Sequence, residues 1–139
     1  MSGQASVRVY KIGGPALEDP ALVAPLAAEV RHGDGPAVIV HGGGRAIERL
    51  LKALGIESRF VDGRRVTSPE AMDVVEMVLS GLANKALAAG LTAAGVPAVG
   101  ISGRDGSLLR ARLEPSLGRV GVPERVDVAP IEALWKGGL

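Results

Sequence analysis

VIVHGGGRAI, residues 38–47, passes from three β-branched residues through a histidine into three consecutive glycines and then into a helical pattern. Ala37 to Val40 is short and wholly apolar, the mark of a parallel strand covered on both faces. The residues from about Gly44 to Ala53 read as a helix stopped by Gly55. Stripping every Cβ from such a junction lets backbone N–H groups approach a ligand, and the helix start adds unpaired donors and a partial positive charge. One or two glycines are explained by the turn and by close helix packing; three in a row favour an anion. The known phosphate fingerprints fit poorly. GxxxxGK[ST] is absent, and Gly42, Gly44 and Ile47 lack the third glycine of GxGxxG.

Outward from this junction the chain alternates strand and helix. Val7 to Ile12 reads as a first strand, and Asp19 and Pro20 open a helix reaching about Arg31. Arg59–Val61 and Arg64–Val66 flank AspGly, a hairpin signal. Ser68, before Pro69 and Glu70, caps a helix to about Ser80, and a second helical stretch runs from about Ala83 to Ala94, ending at Gly95. Val96 to Ile101 is expected as a third buried strand, followed by a hairpin near Ser107 to Arg112 and a last helix near Ile131 to Lys136. Helices between strands imply right-handed βαβ crossovers. The expected fold class is α/β, a three-layer αβα sandwich with a mainly parallel central sheet. Ligands then sit beyond the carboxyl ends of the strands, where IGG, HGGG and SGRDG form three glycine-bearing loops.

Composition narrows the function. The 139 residues suffice for one domain with a core, apolar residues make up 47%, and the formal charge is +1. No long run of Lys and Arg offers a polyanion-binding surface, so nucleic acid is not an expected partner. MSGQAS is not a signal sequence, and no stretch approaches the ~20 apolar residues of a bilayer span. A soluble, cytoplasmic protein with no membrane partner is expected. Zero cysteines exclude disulfides, thiolate chemistry and Cys-ligated zinc.

Two further features carry charge to the expected site. In VYKIGG, Lys11 sits near the exit of the first strand, just before Gly13 and Gly14. Such an ammonium either meets a phosphate or snorkels from an edge position to solvent. In GRRVTSPE, Arg64 and Arg65 leave the hairpin where a helix begins. An Arg fork binds a carboxylate through two parallel bonds, and strand alternation lets at most one of the pair line a site.

KIGG, VIVHGGGRAI, GRRVTSPEAMDVVEMVLSGLANKAL, AVGISGRDG and LGRVG, in this order and spacing, resemble the amino-terminal lobe of the acetylglutamate kinase branch of the amino acid kinase family. The resemblance covers essentially the whole chain. It implies transfer of the γ-phosphoryl of ATP to the side-chain carboxylate of N-acetyl-L-glutamate, in arginine biosynthesis. By the same resemblance, Lys11 neutralises the phosphoryl group in transit as transition-state stabiliser, and Gly13 and Gly14 face the ATP phosphates. Gly43 and Gly44 bind the acyl amino acid, and Arg65 grips its α-carboxylate. A loose in-line transfer spreads negative charge, so positioning and fixed positive donors supply catalysis without a protein nucleophile. The acceptor carboxylate is already ionised and needs no general base. His41 is therefore read as structural, closing the strand and holding the loop.

Two departures qualify the resemblance. Pro15 lacks an N–H and removes one phosphate donor. The second, nucleotide-binding lobe, with its AsnxAsnAlaAsp-like segment and second phosphate lysine, does not appear. Residues 1–139 are thus read as the amino-terminal, acyl-amino-acid-binding lobe, inactive or nearly so alone. Alternatives are a noncatalytic module sensing a small carboxylate, or a kinase for a carrier-protein-linked aminoadipate or glutamate. Mg2+ would travel with ATP, since no carboxylate cluster marks a metal site. The resemblance also implies a homo-oligomer; the apolar stripe of AMDVVEMVL serves either that contact or the core, and core is the expectation. MSGQAS is shorter than the amino-terminal helix that accompanies arginine feedback in the family.

Overall fold

Alternation along the first strand decides what the core receives. In the computed structural model, which describes residues 6–139, β1 (Arg8–Ile12) pairs parallel with β2 (Ala37–His41), Arg8 opposite Ala37 and Ile12 opposite His41. The reading of the opening MSGQAS falls on residues 1–6, of which residues 1–5 lie outside the described part. Between the strands come a four-residue helix, α1 (Gly14–Leu17), a 3-10 turn (Pro20–Leu22) and α2 (Val23–His32). Asp19 caps the turn, its Oδ1 accepting from the Ala21 N–H at 2.9 Å, the role its position before Pro20 predicts. Tyr10, Ile12 and Ile39 pack with Leu26 and Ala27 of α2 and with Leu87 and Leu91 further on. The opposite face carries Val9 and Val40, 66% and 49% exposed. β2 is thus covered on one face, which corrects the expectation of cover on both.

α3 (Gly44–Ala53) has the predicted bounds. β3 (Arg59–Val61) and β4 (Arg64–Val66) form the predicted antiparallel hairpin, its Asp62 and Gly63 both at positive φ (49° and 74°), as a tight primed turn requires. Ser68 Oγ accepts from the Ala71 N–H at 3.1 Å and starts α4 (Pro69–Glu76). The sequence suggested a break near residues 81–82; instead a π-helical turn, Met77–Ala83, carries α4 straight into α5 (Asn84–Ala93). No proline interrupts this run, and one exposed Gly81 costs only about 1 kcal/mol in a helix.

The joined helix, Pro69–Ala93, spans 25 residues and by length and composition could cross a membrane. That corrects the expectation that no stretch approaches such a length. Here its first half packs Ala71, Val74 and Val78 against Ile47 and Leu51 of α3, and its second half packs Leu87 and Leu91 against α2. The apolar stripe of AMDVVEMVL therefore lies in the core, as expected. Every residue in the α3–α4 cluster is at least nine-tenths buried, each contributing about 1.5–3 kcal/mol on full burial for the larger side chains.

Val96 to Ile101 is not a strand: it joins no ladder among the described residues. Its N–H and C=O groups turn instead to the end of α5, Val96 donating to Leu91 O at 2.9 Å and Ala98 to Thr92 Oγ1 at 3.3 Å. A strand is defined by its neighbour, and none lies beside this segment. The later hairpin is also larger than expected. β5 (Leu109–Leu113) pairs antiparallel with β6 (Gly121–Val126) across a connection holding a 3-10 turn, Pro115–Leu117, so residues 107–112 form its approach and first strand. Leu117 is 1% exposed. α6 (Ala129–Lys136) ends at Gly137 and Gly138. The fold is α/β, with a parallel pair of strands, two antiparallel hairpins and helices around them.

Candidate active site

Parallel pairing of adjacent strands brings their following turns to one end of the sheet. The Gly42 N–H donates to Ile12 O at 3.2 Å, locking the two exits together. Beyond that bond the glycine loops touch. A Cβ built on Gly14 would lie 3.5 Å from the Gly44 nitrogen and 3.8 Å from that of Gly43. Gly43 is buried under the π-helical turn, where a Cβ would come within 2.8 Å of Leu79 Cδ2. Gly44, exposed, faces open space. α3 starts here without a side-chain cap, and Ile47 is the first residue whose N–H finds an intrahelical partner, Gly43 O at 3.0 Å. The N–H groups of the first turn and the helix dipole therefore point at the space above Gly44. Gly13 is the extended N-cap of α1, beside the same space in the chain.

Lys11 is the last but one residue of β1 and stands opposite Val40. It is exposed, and among the described residues it makes no hydrogen bond or ion pair. Its alternation places it on the uncovered face, with Val9. Arg65 is differently placed. Its guanidinium is ion-paired with Glu48 of α3, donates to Ser58 Oγ and lies 4.7 Å over the Phe60 ring. Ser58 Oγ also donates to Glu48 Oε1 at 3.0 Å. The Arg65 hydrogen bond holds the Glu48 carboxyl below its ordinary range; burial opposes it, and the Ser58 bond and the Arg65 charge add smaller lowering effects. The structure thus places Gly14 close to Gly43 and Gly44, with Gly13 and Lys11 adjoining Gly14 only along the chain, while Arg65 is held on α3 about one turn beyond Gly44. A ligand carboxylate reaching Arg65 meets Glu48 as a competitor. Arg64, its neighbour, is exposed, in line with alternation along β4.

His41 has the structural role expected of it. Asn84 Nδ2 lies 3.2 Å from its Nε2, and its Nδ1 lies 3.1 Å from Gly42 O, contacts that hold the ring against the first glycine of the loop. Asn84 was not singled out from sequence. It also reaches Ile101 O at 3.4 Å, and its neighbour Lys85 donates to Gly100 O at 2.7 Å. Asn84 thus ties the HGGG turn to the ISG turn from the first residue of α5. In the SGRDG loop, Asp105 accepts from the Ser102 N–H at 2.6 Å and from its hydroxyl at 2.9 Å. Those bonds hold its carboxyl below the ordinary range, so this loop spends its acid on its own turn.

A second device missed in the sequence lies under Arg65. Thr67, 4% exposed, donates its N–H to Leu117 O at 2.9 Å and accepts from the Arg119 N–H at 2.7 Å. Gly118 between them has φ +71°, and a Cβ there would fall 2.3 Å from Thr67 O. Only glycine fits. The glycine of LGRVG therefore fastens the strand that bears Arg65 to the β5–β6 connection.

A cavity of about 830 Å3 runs along β2 and is bordered by His41, Leu79 and Asn84, but by none of Lys11, the four site glycines or Arg65. Among the described residues no group of three or more His, Asp or Glu side chains could hold a metal ion.

Comparison with known proteins gives the same picture. Residues 6–139 match the amino acid kinase family. The acetylglutamate kinase of Rubrobacter xylanophilus is 45% identical over 130 residues, covering 94% of this chain and 51% of that protein. That of Paracoccus denitrificans is 46% identical over 139 residues, 96% of this chain and 45% of its own length. This chain therefore spans about half the length of the curated relatives it matches. Among solved structures, smu.665 of Streptococcus mutans superposes with a TM-score of 0.78 at 27% identity over 94% of this chain and 55% of its own. N-acetylglutamate synthase of Neisseria gonorrhoeae, complexed with coenzyme A and N-acetyl-glutamate, does so with 0.69 at 25% identity, over 96% of this chain and 32% of its own. With its glycine turns paired at the end of a parallel ladder and its whole described length matched, this chain belongs to the amino acid kinase family.

Proposed function

We propose that this chain is the acyl-amino-acid lobe, residues 1–139, of an ATP-dependent kinase that phosphorylates the side-chain carboxylate of N-acetyl-L-glutamate. The observation that carries the reading is the close approach of Gly14 to Gly43 and Gly44, three residues after Lys11, which has no partner among the described residues. Two negatively charged reactants need fixed donors on both sides, and preorganised N–H groups with one mobile ammonium supply them without reorganisation. In the transfer, the ionised carboxylate oxygen attacks the γ-phosphorus, the bond to the ADP leaving oxygen breaks, and no proton moves. Gly43 and Gly44 would hold the acceptor, Gly13 and Gly14 the phosphates, and Lys11 the charge spread over the group in transit. Arg65 would grip the α-carboxylate by exchanging part of its hold on Glu48. Mg2+ would arrive on the ATP phosphates. The relatives named acetylglutamate kinase support the substrate, and the reading implies a cytoplasmic homo-oligomer working on soluble metabolites.

Calorimetry with this chain tests the proposal. N-acetyl-L-glutamate should bind, glutamate with its free amine should bind more weakly, and ATP should add little without the other half of the kinase. Equal binding of all three, or none, contradicts it. A noncatalytic sensor of a small carboxylate is the second reading, which the HGGG loop and Arg65 would serve by themselves. The two separate once the missing half is supplied: a kinase then forms an acyl phosphate that hydroxylamine traps, and a sensor does not.

A further inference from the structure

The guanidinium of Arg65 is held from two directions. Phe60 covers one face, its ring centroid 4.7 Å away. Along the edge, Nη1 donates to Ser58 Oγ, and Nη2 is ion-paired with Glu48 Oε1 of α3. Ser58 Oγ closes the triangle by donating to the same Oε1 at 3.0 Å. Both bonds of the Glu48 carboxylate thus fall on one oxygen, and its Oε2 has no partner among the described residues. Arg65 Nε has none among them either.

A carboxylate holds a guanidinium most strongly as a fork, two oxygens on two parallel N–H groups. Glu48 engages Arg65 with a single oxygen, which leaves the stronger geometry to a ligand. The two partners also differ in their access to water. The Glu48 side chain is 45% exposed and that of Arg65 15%, so Glu48 exchanges its ion pair for water at the smaller cost. Ser58 and Phe60 come from the same hairpin and its approach, and they hold Arg65 without help from α3. Glu48 is therefore the exchangeable member of the group and Arg65 the fixed one. We infer that Glu48 sets the affinity of the Arg65 subsite as a built-in competitor, its carboxylate occupying the guanidinium edge from which a ligand carboxylate displaces it. The inference rests on the reading of Arg65 as the group that takes the α-carboxylate, and adds to it a residue that opposes binding. Removing an acid that positioned Arg65 would weaken the ligand; removing a competitor tightens it. Return of Glu48 to the edge also favours release of a product that still carries the α-carboxylate.

Calorimetry of N-acetyl-L-glutamate against this chain at fixed ionic strength reads the sign. Glu48→Gln and Glu48→Ala should each lower Kd by about three- to fivefold, the worth of a half-exposed pair, with urea unfolding showing both variants folded. Glu57→Gln removes an equal charge beside Ser58 at an exposed position with no contact to Arg65 among the described residues. It should leave Kd within about 1.5-fold of the parent, since a solvated charge at that remove is screened. In an Arg65→Ala background the Glu48 substitutions should change nothing. Unchanged or weaker binding in either Glu48 variant, equal tightening in Glu57→Gln, or a gain that survives Arg65→Ala would overturn the inference. Acetate, followed through the 15N–1H signal of Arg65 Nε, is a second probe that does not depend on the substrate. Its midpoint should fall by the same factor in Glu48→Gln, and an equal midpoint would overturn the inference. N-acetyl-L-glutamate bound by neither the parent nor the variants would contradict the kinase reading, and the acetate midpoints would then decide the role of Glu48.

Discussion

At its carboxyl end β2 runs into backbone packed on backbone, Gly14 against Gly43 and Gly44, whereas along the side away from β1 it faces an apolar gap of about 830 Å3. The closed end is made by residues whose signals are local: glycines at two turns, a helix start, and Leu79 pressing on Gly43 from the π-helical turn. Along the open side no strand pairs with β2 among the described residues. Substitutions on the two sides should differ accordingly.

The sharpest break concerns Lys11. In the enzyme reassembled with its second half, Lys11→Ala should lower kcat by about 10²–10³-fold, the loss typical of one preorganised donor, with KM for N-acetyl-L-glutamate little changed and folding intact. A kcat within a few-fold of the parent would remove Lys11 from the site. Next, Leu51→Ala, in the cluster that carries α3, should cost about 2–5 kcal/mol in urea unfolding, whereas Val126→Ala on the open side should stay within about 0.5 kcal/mol. Equal costs would erase the contrast. Gly118→Ala should destabilise by about 1–3 kcal/mol through strain at a positive φ and collision with Thr67 O.

Smaller effects refine the closed end. Asn84→Ala should cost about 1 kcal/mol and release the His41 ring from its contact, visible as a change in the 15N shifts of the imidazole. The smallest effect is on pH. Glu48, ordinarily at 4.5, is held lower in the folded chain by Arg65, so the folded state binds fewer protons than the unfolded one. The pair's contribution is present above the ordinary value and lost as pH falls through the lowered one. With the Glu48 side chain 45% exposed the effect is small. Glu48→Gln should flatten the acid limb of the stability curve, and an unchanged limb would count against the pair.

What the sequence made legible follows the same division. β1, α3, the β3–β4 hairpin and the Ser68 cap were readable because each is announced within a few residues, by alternation, AspGly or a capping hydroxyl. Val96 to Ile101 has the composition of a strand but no partner, and composition cannot report a partner. The join of α4 to α5 was hidden because the helical reading broke between Ser80 and Ala83, where a π-helical turn carries the chain through. α1 was missed because four residues beginning GlyPro carry too little periodicity. In the candidate site, the close approach of the two glycine turns was legible by residue type at a strand exit. Asn84 was not, since its bond to His41 spans 43 residues, and Arg65 was placed in the right hairpin without any sign that Glu48 holds it.

The most direct test is a titration of N-acetyl-L-glutamate followed by 15N–1H NMR of this chain. The amides of Gly14, Gly43 and Gly44 should shift together along one binding curve, with Arg65 side-chain signals moving at the same midpoint. Saturable shifts confined to other residues, or no shift at these glycines at saturating ligand, would contradict the account.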